Sequence, residues 1–169
     1  MSLDQSRRRF LQNGLALTAA GLAACSGKDT PAPPPPGLAY RTLGKTGLRV
    51  TGVGYGIGFA PVPEVVTRAL DLGINYYDTA RAYGDSEKIF SGLIRGRPRD
   101  GIIIATKSSN STRDAIVRDL ETSLRTLGTD YVDILHLHGR DDPEQIPDEA
   151  VQGLQECKQS GKARCIGFS

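Results

Sequence analysis

The sequence has 169 residues, 38% apolar and 24% charged, with 21 Lys and Arg set against 19 Asp and Glu. That balance fits one ordinary soluble domain and argues against a disordered or fibrous chain. A net charge of +2 with interleaved signs carries no nucleic-acid footprint, and three cysteines without C-x-x-C spacing beside two histidines argue against a structural zinc site.

The first elements are not part of a fold. Ser6, Arg7, Arg8, Arg9, Phe10, Leu11 and Gln12 place paired arginines before an apolar stretch, Gly14 to Ala24, that is too short to span a bilayer as a mature helix. This pattern resembles a twin-arginine export signal, with Gln12 where lysine is usual. Leu22-Ala23-Ala24-Cys25 then resembles a bacterial lipobox, which implies a lipid on the Cys25 thiol and a signal spanning residues 1–25. The partners implied are the twin-arginine export machinery and a membrane reached through the lipid anchor. The address is the cell envelope, facing the periplasm or the cell exterior. Residues 26–37 contain Pro31 and Pro33 to Pro36, favour extended polyproline geometry and read as a semi-rigid tether.

The folded domain is expected over residues 38–169. Tyr40 to Val50, with Gly44 and Gly47 between short strand-like pieces, predicts a β-hairpin. Gly44-Lys45-Thr46 is not a P-loop, because Ala39 stands where that motif needs its first glycine. Glycines at 52, 54, 56 and 58 would share one face of a strand from Val50 to Phe59, yet Ile57 and Phe59 break a dinucleotide-binding G-x-G-x-x-G in either register.

Further on, apolar strands are predicted near Ile74–Thr79, Ile102–Lys107, Tyr131–His138 and Ala163–Phe168, starting about thirty residues apart. Helices are predicted between them: Glu64–Leu72 before Gly73, Ser86–Ile94, Thr112–Leu127 capped by Ser111 and Gly128, and Asp148–Ser160 stopped by Gly161. Ile116, Leu120, Leu124 and Leu127 form an apolar stripe suited to covering a sheet. Cys157 and Cys165 read as small buried hydrophobes. The alternation predicts an α/β chain with a parallel sheet, either open and doubly wound or closed as an eight-stranded barrel.

Four polar residues fall at or just past successive strand ends: Asp78, Tyr83 in the following loop, Lys107 and His138. In a barrel those ends converge on one face. Taken singly each has an ordinary place: Asp78 as a turn cap, Tyr83 as loop packing, Lys107 as a solvated strand end, His138 as a core histidine.

Gly73-Ile74-Asn75-Tyr76-Tyr77-Asp78-Thr79-Ala80, running on to Tyr83-Gly84 and Ser86-Glu87, resembles the signature of the aldo-keto reductase family. Ala105-Thr106-Lys107, Asp130-Tyr131-Val132-Asp133 leading to Leu137-His138, and Gly161-Lys162-Ala163-Arg164-Cys165-Ile166-Gly167-Phe168-Ser169 follow in family order, so the resemblance covers residues 40–169. It implies a (β/α)8 TIM barrel, and NADPH-dependent reduction of an aldehyde or ketone. Tyr83 would be the general acid, Lys107 the cation that favours its phenolate, Asp78 the partner of Lys107, and His138 the hydrogen-bond donor to the carbonyl oxygen. Of the family's cofactor contacts only Ser169, first of a serine-asparagine pair that holds the nicotinamide amide, falls within the sequence.

Two other readings stay open. His136 and His138 share one side of a strand and could ligate a metal in a barrel hydrolase, although the resemblance explains His138 without one. A non-catalytic membrane-anchored lipoprotein could retain the fold, since export leaves the supply of NADPH open. A complete barrel takes about 250 residues, so this stretch is expected to hold only the hairpin and about five β/α units of a truncated domain.

Overall fold

A computed structural model describes residues 37–142, 144 and 146–169. The export signal, Cys25 and all of the tether except Gly37 lie outside the described residues. Two short strands, β1 (Tyr40–Thr42) and β2 (Arg49–Thr51), pair antiparallel as the expected hairpin. Gly44 and Gly47 carry positive φ of 49° and 75° in its turn, a region open to glycine without steric cost.

The main sheet is parallel, with strands β3 (Tyr55–Gly56), β4 (Tyr76–Asp78), β5 (Ile103–Ser108), β6 (Val132–Leu137) and β7 (Ala163–Phe168) adjacent in chain order. Helices α1 (Pro63–Asp71), α2 (Ser86–Ile94), α3 (Arg113–Leu127) and α4 (Asp148–Gln159) connect them. All four helices contribute to one apolar cluster with the sheet, including Val66, Phe90, Leu120 and Leu154. A doubly wound sheet reverses its strand order and covers both faces with helices. Strictly sequential order with helices on one face is the winding of a barrel instead.

The opposite face carries a second cluster in which Ile103, Ala105, Ile134 and Cys165 pack with Leu48 and Val50 of the hairpin. The hairpin therefore closes the inner face near the amino-terminal ends of the strands and leaves the carboxyl ends for polar side chains. Each large apolar side chain buried in these clusters contributes about 1.5–3 kcal/mol. Burial raises the Cys157 thiol to about 11, which keeps it protonated and consistent with its place in the helix-side core.

Three expectations need correction. The glycines at 52, 54, 56 and 58 do not line one strand, because the chain bends after β2 and resumes as β3. Two tertiary contacts impose the bend: the Thr51 amide donates to Asn75 Oδ1 at 2.8 Å, and a Cβ on Gly54 would stand 2.6 Å from the Tyr76 ring. Ser111 does not cap α3. Thr112 holds the cap position without a side-chain bond, and the Ser111 hydroxyl accepts from Arg140 at 2.9 Å. Pro63 is the first residue of α1 rather than the residue before it, a position where its missing N–H costs nothing. The stops hold as expected, with Gly73, Gly128 and Gly161 all at positive φ.

Helices α3 and α4 touch at Gly153, where a Cβ would meet the Arg113 carbonyl oxygen at 2.9 Å and Ile116 Cβ at 3.2 Å. Those neighbours are helix backbone and a stiff side chain, so they cannot give way cheaply. Gly153→Val is expected to destabilise the protein by about 1–3 kcal/mol, read as a lower urea midpoint. An unchanged midpoint would contradict this close approach.

Candidate active site

Register places the site side chains. Asp78 on β4 stands beside Ala105, which aligns with Ile134 and Cys165, while Lys107, two residues further along β5, aligns with His136 and Gly167. Side chains two apart on a strand share a face, so Asp78, Lys107 and His136 all point to the inner side, at the carboxyl ends. His138 follows just past β6, its amide donating to the Ser108 carbonyl at 2.8 Å. Tyr83 sits in a tight turn where its amide donates to Ala80 O at 3.0 Å and its carbonyl accepts from Ser86 N at 3.1 Å.

The structure brings the four sequence-predicted residues together. Lys107, only 6% exposed, donates from Nζ to Asp78 Oδ2 at 2.5 Å and to Thr79 O at 2.9 Å. The ammonium is thereby held in place and lies 5.1 Å from the Tyr83 ring centroid, within the range of a cation–π contact. The Tyr83 ring meets His138 edge-on at 5.5 Å and packs on Phe59 at 4.9 Å. Among the described residues neither the Tyr83 hydroxyl nor His138 Nε2 has a hydrogen-bond partner, so both groups of this adjacent ring pair have capacity for a ligand oxygen.

Both histidines have depressed pKa values, chiefly because burial disfavours the imidazolium. At His138 Lys107 and Arg140 add to the depression while Asp78 opposes it; at His136 Asp78 opposes the burial effect while Lys107 and His138 add to it. A neutral imidazole carries one donor and one acceptor. The Ser109 hydroxyl lies 3.5 Å from His138 Nδ1, which suits a tautomer with its proton on Nε2.

The unfolded chain takes up protons near pH 6.5 while the folded histidines remain neutral to lower pH, so their stability contribution is complete above about 6.5 and declines below it. Thermal melts from about pH 7.5 down to about pH 5 should therefore show a fall in Tm that is smaller in His136→Gln than in the wild type. Equal falls would mean that burial does not depress His136.

A buried polar layer supports the site from behind. Ser86 Oγ donates to Ile57 O at 2.8 Å, so Thr79 supplies the proton in the 2.7 Å contact between the two hydroxyls. The Glu87 carboxylate, 1% exposed, accepts from Thr106 at 2.7 Å and from Arg81 at 2.8 Å, fixing the turn that carries Tyr83. Sequence reasoning gave Arg81, Thr106 and Arg140 no role. Their partners lie on other strands and loops, and no local spacing signals such contacts.

The residues present fit a nicotinamide cofactor in part. Ser169 is fixed by its backbone, donating to Leu137 O at 2.9 Å and accepting from Arg140 N at 2.7 Å, and its hydroxyl has no partner among the described residues. Gly56 and Gly58, at the end of β3, have open space where a Cβ would project, which leaves room for a flat ring. Among the described residues no group of three His, Cys, Asp or Glu side chains could hold a metal ion. No described helix is long and apolar enough to cross a membrane.

Residues 50–169 match the aldo/keto reductase family. The chain is 37% identical over 154 residues to L-galactose dehydrogenase of Arabidopsis thaliana, covering 78% of this chain and 48% of that protein. It is 32% identical over 157 residues to L-glyceraldehyde 3-phosphate reductase of Escherichia coli K12, covering 78% and 45%. Among solved structures, an aldo-keto reductase from Bacillus halodurans superposes with a TM-score of 0.68 at 34% identity, covering 78% of this chain and 50% of its own. The chain thus spans about half the length of the curated relatives it matches.

Proposed function

Because the chain belongs to the aldo/keto reductase family, we propose that this protein reduces aldehydes or ketones to alcohols, with NADPH as the hydride donor. The observation that carries the reading is the cluster at the strand ends, in which Lys107 bridges Asp78 at 2.5 Å and faces Tyr83 at 5.1 Å beside His138.

The nicotinamide, when bound, supplies a hydride to the carbonyl carbon; Ser169 would hold its amide group. Every other step belongs to the chain. His138 Nε2 donates a hydrogen bond to the carbonyl oxygen and fixes its direction. Tyr83 Oη gives that oxygen a proton as negative charge develops there, and the nearby Lys107 ammonium stabilises the phenolate left behind. Asp78 and the Thr79 carbonyl keep the ammonium aimed. The hydride and the proton together convert the carbonyl to the alcohol, so the step balances without a covalent enzyme intermediate.

Residues 1–25 support export through the twin-arginine route with a lipid on Cys25, and residues 26–37 then tether the catalytic domain that follows to the membrane. Folding before export would let the cofactor travel with the protein.

The discriminating experiment follows NADPH binding by fluorescence and NADPH oxidation with a panel of aldehydes and ketones, using the native full-length protein. Binding with turnover is the expected result. Binding without turnover on any carbonyl would favour a non-catalytic lipoprotein instead.

A further inference from the structure

We propose that Arg140 is a positioning residue for His138, its guanidinium clamping the loop after β6 to the loop after β5 so that the imidazole projects from a fixed backbone. The proposal rests on the reductase reading for its catalytic consequence, but not for its geometry.

Arg140 stands two residues past His138. Its Nη1 donates to the carbonyls of His138 at 3.0 Å and Gly139 at 3.1 Å, on its own loop. Its Nη2 donates across to the Ser109 carbonyl at 3.1 Å and the Ser111 hydroxyl at 2.9 Å, on the loop after β5. Its backbone amide donates to Ser169 O at 2.7 Å, at the end of β7. Three adjacent strand ends are joined through this one residue.

The anchor on the far side is itself fixed. Asp119 of α3 accepts from Ser108 Oγ at 2.5 Å and from Asn110 Nδ2 at 2.8 Å, so the loop that carries Ser109 and Ser111 is tied to its helix. Ser109 also reaches the ring that Arg140 positions, 3.5 Å from His138 Nδ1. A flexible loop would leave His138 free to swing away from Tyr83; the guanidinium removes that freedom.

Arg140 forms no ion pair with a carboxylate among the described residues, and its acceptors are three carbonyls and a hydroxyl. A surface arginine kept for solubility has no need of four neutral acceptors divided between two loops. The planar fork is what spans them, which a lysine cannot do with a single nitrogen. Charge alone would serve with either residue, so the fork and the charge can be separated by substitution.

Residues 1–169 hold two histidines, His136 and His138, and their ring signals can be assigned by proton NMR in the native protein as those lost with His136→Gln and with His138→Gln. The charged and titratable groups facing His138 are Lys107 and Arg140 as cations, Asp78 as an anion, the Tyr83 phenol edge-on to its ring, and His136 on β6. Removing the charge with Arg140→Gln should raise the His138 titration midpoint. Arg140→Lys keeps the charge and should move it less. In both variants kcat for carbonyl reduction should fall on the order of 10- to 100-fold with little change in NADPH affinity, because a displaced His138 no longer meets the carbonyl oxygen.

Wild-type kcat in Arg140→Lys, or a wild-type His138 titration in folded Arg140→Gln, would overturn the proposal. Loss of stability alone, with the His138 signal and kcat of the folded protein unchanged, would overturn it equally. If the wild type reduces no carbonyl, the reductase reading fails, while the His138 ring signal of Arg140→Lys, which keeps the charge and loses the fork, still decides the clamp: a wild-type chemical shift and line width there would overturn it.

Discussion

Tyr83→Phe should lower kcat for carbonyl reduction by about 10²- to 10⁴-fold, the range that a positioned general acid contributes. The substitution removes one oxygen and leaves the ring, so packing on Phe59 at 4.9 Å and on His138 at 5.5 Å is retained. Stability and NADPH affinity should therefore stay close to wild type, and the loss should appear in kcat rather than in binding. Lys107 and Asp78 would remain paired with no phenolate to stabilise. A variant within about twofold of wild-type kcat would remove Tyr83 from the proton-transfer role, and the search would move to His138 as the donor.

The largest effect on stability is expected at the other end of the same strands. Asp133, 1% exposed, accepts from Arg99 at 2.8 Å and from Arg164 at 2.8 Å, and its Oδ2 also accepts the Ile104 amide at 2.9 Å. One carboxylate thus connects the turn before β5, β5 itself, β6 and β7. The two guanidinium groups also lie over the Tyr131 ring, 4.1 Å and 5.9 Å from its centroid. Asp133→Ala strands two half-buried cations against each other and leaves a buried N–H without an acceptor. Removing one partner from a buried ionic cluster costs about 3–5 kcal/mol, so the urea midpoint should fall steeply. Asp133 is at the hairpin end of β6, away from His138, and kcat of the folded fraction should hold. A loss below about 1 kcal/mol would show that water replaces the carboxylate, the surface-pair case.

Much of this arrangement was legible in the sequence because it rests on local rules. Strand and helix order follow from apolar periodicity, and Gly73, Gly128 and Gly161 stop helices because a positive φ there excludes most other residues. The four site residues were legible as a set: Asp78, Lys107 and His138 fall at or just past strand ends and Tyr83 in the loop after β4, and parallel register then brings the ends together. What sequence could not reveal depends on contacts far along the chain. The break between β2 and β3 is set by Asn75 and the Tyr76 ring, and the hydroxyl of Ser111 is taken by Arg140 rather than by its own helix. The same holds for Glu87, which reads as part of a signature but acts as a buried acceptor for Thr106 and Arg81. Spacing also allowed an open doubly wound sheet, and only the strand order decided for the winding of a barrel.

The most direct test of the central claim is isotope transfer in the native full-length protein. NADPH carrying deuterium at the transferable position is incubated with an aldehyde that the protein consumes, and the alcohol is examined by mass spectrometry and NMR. One deuterium on the carbinol carbon, present with the wild type and lost with Tyr83→Phe, is the expected result. An alcohol without deuterium, or consumption of the aldehyde that is indifferent to NADPH, would contradict a hydride-transferring reductase built on Asp78, Tyr83, Lys107 and His138.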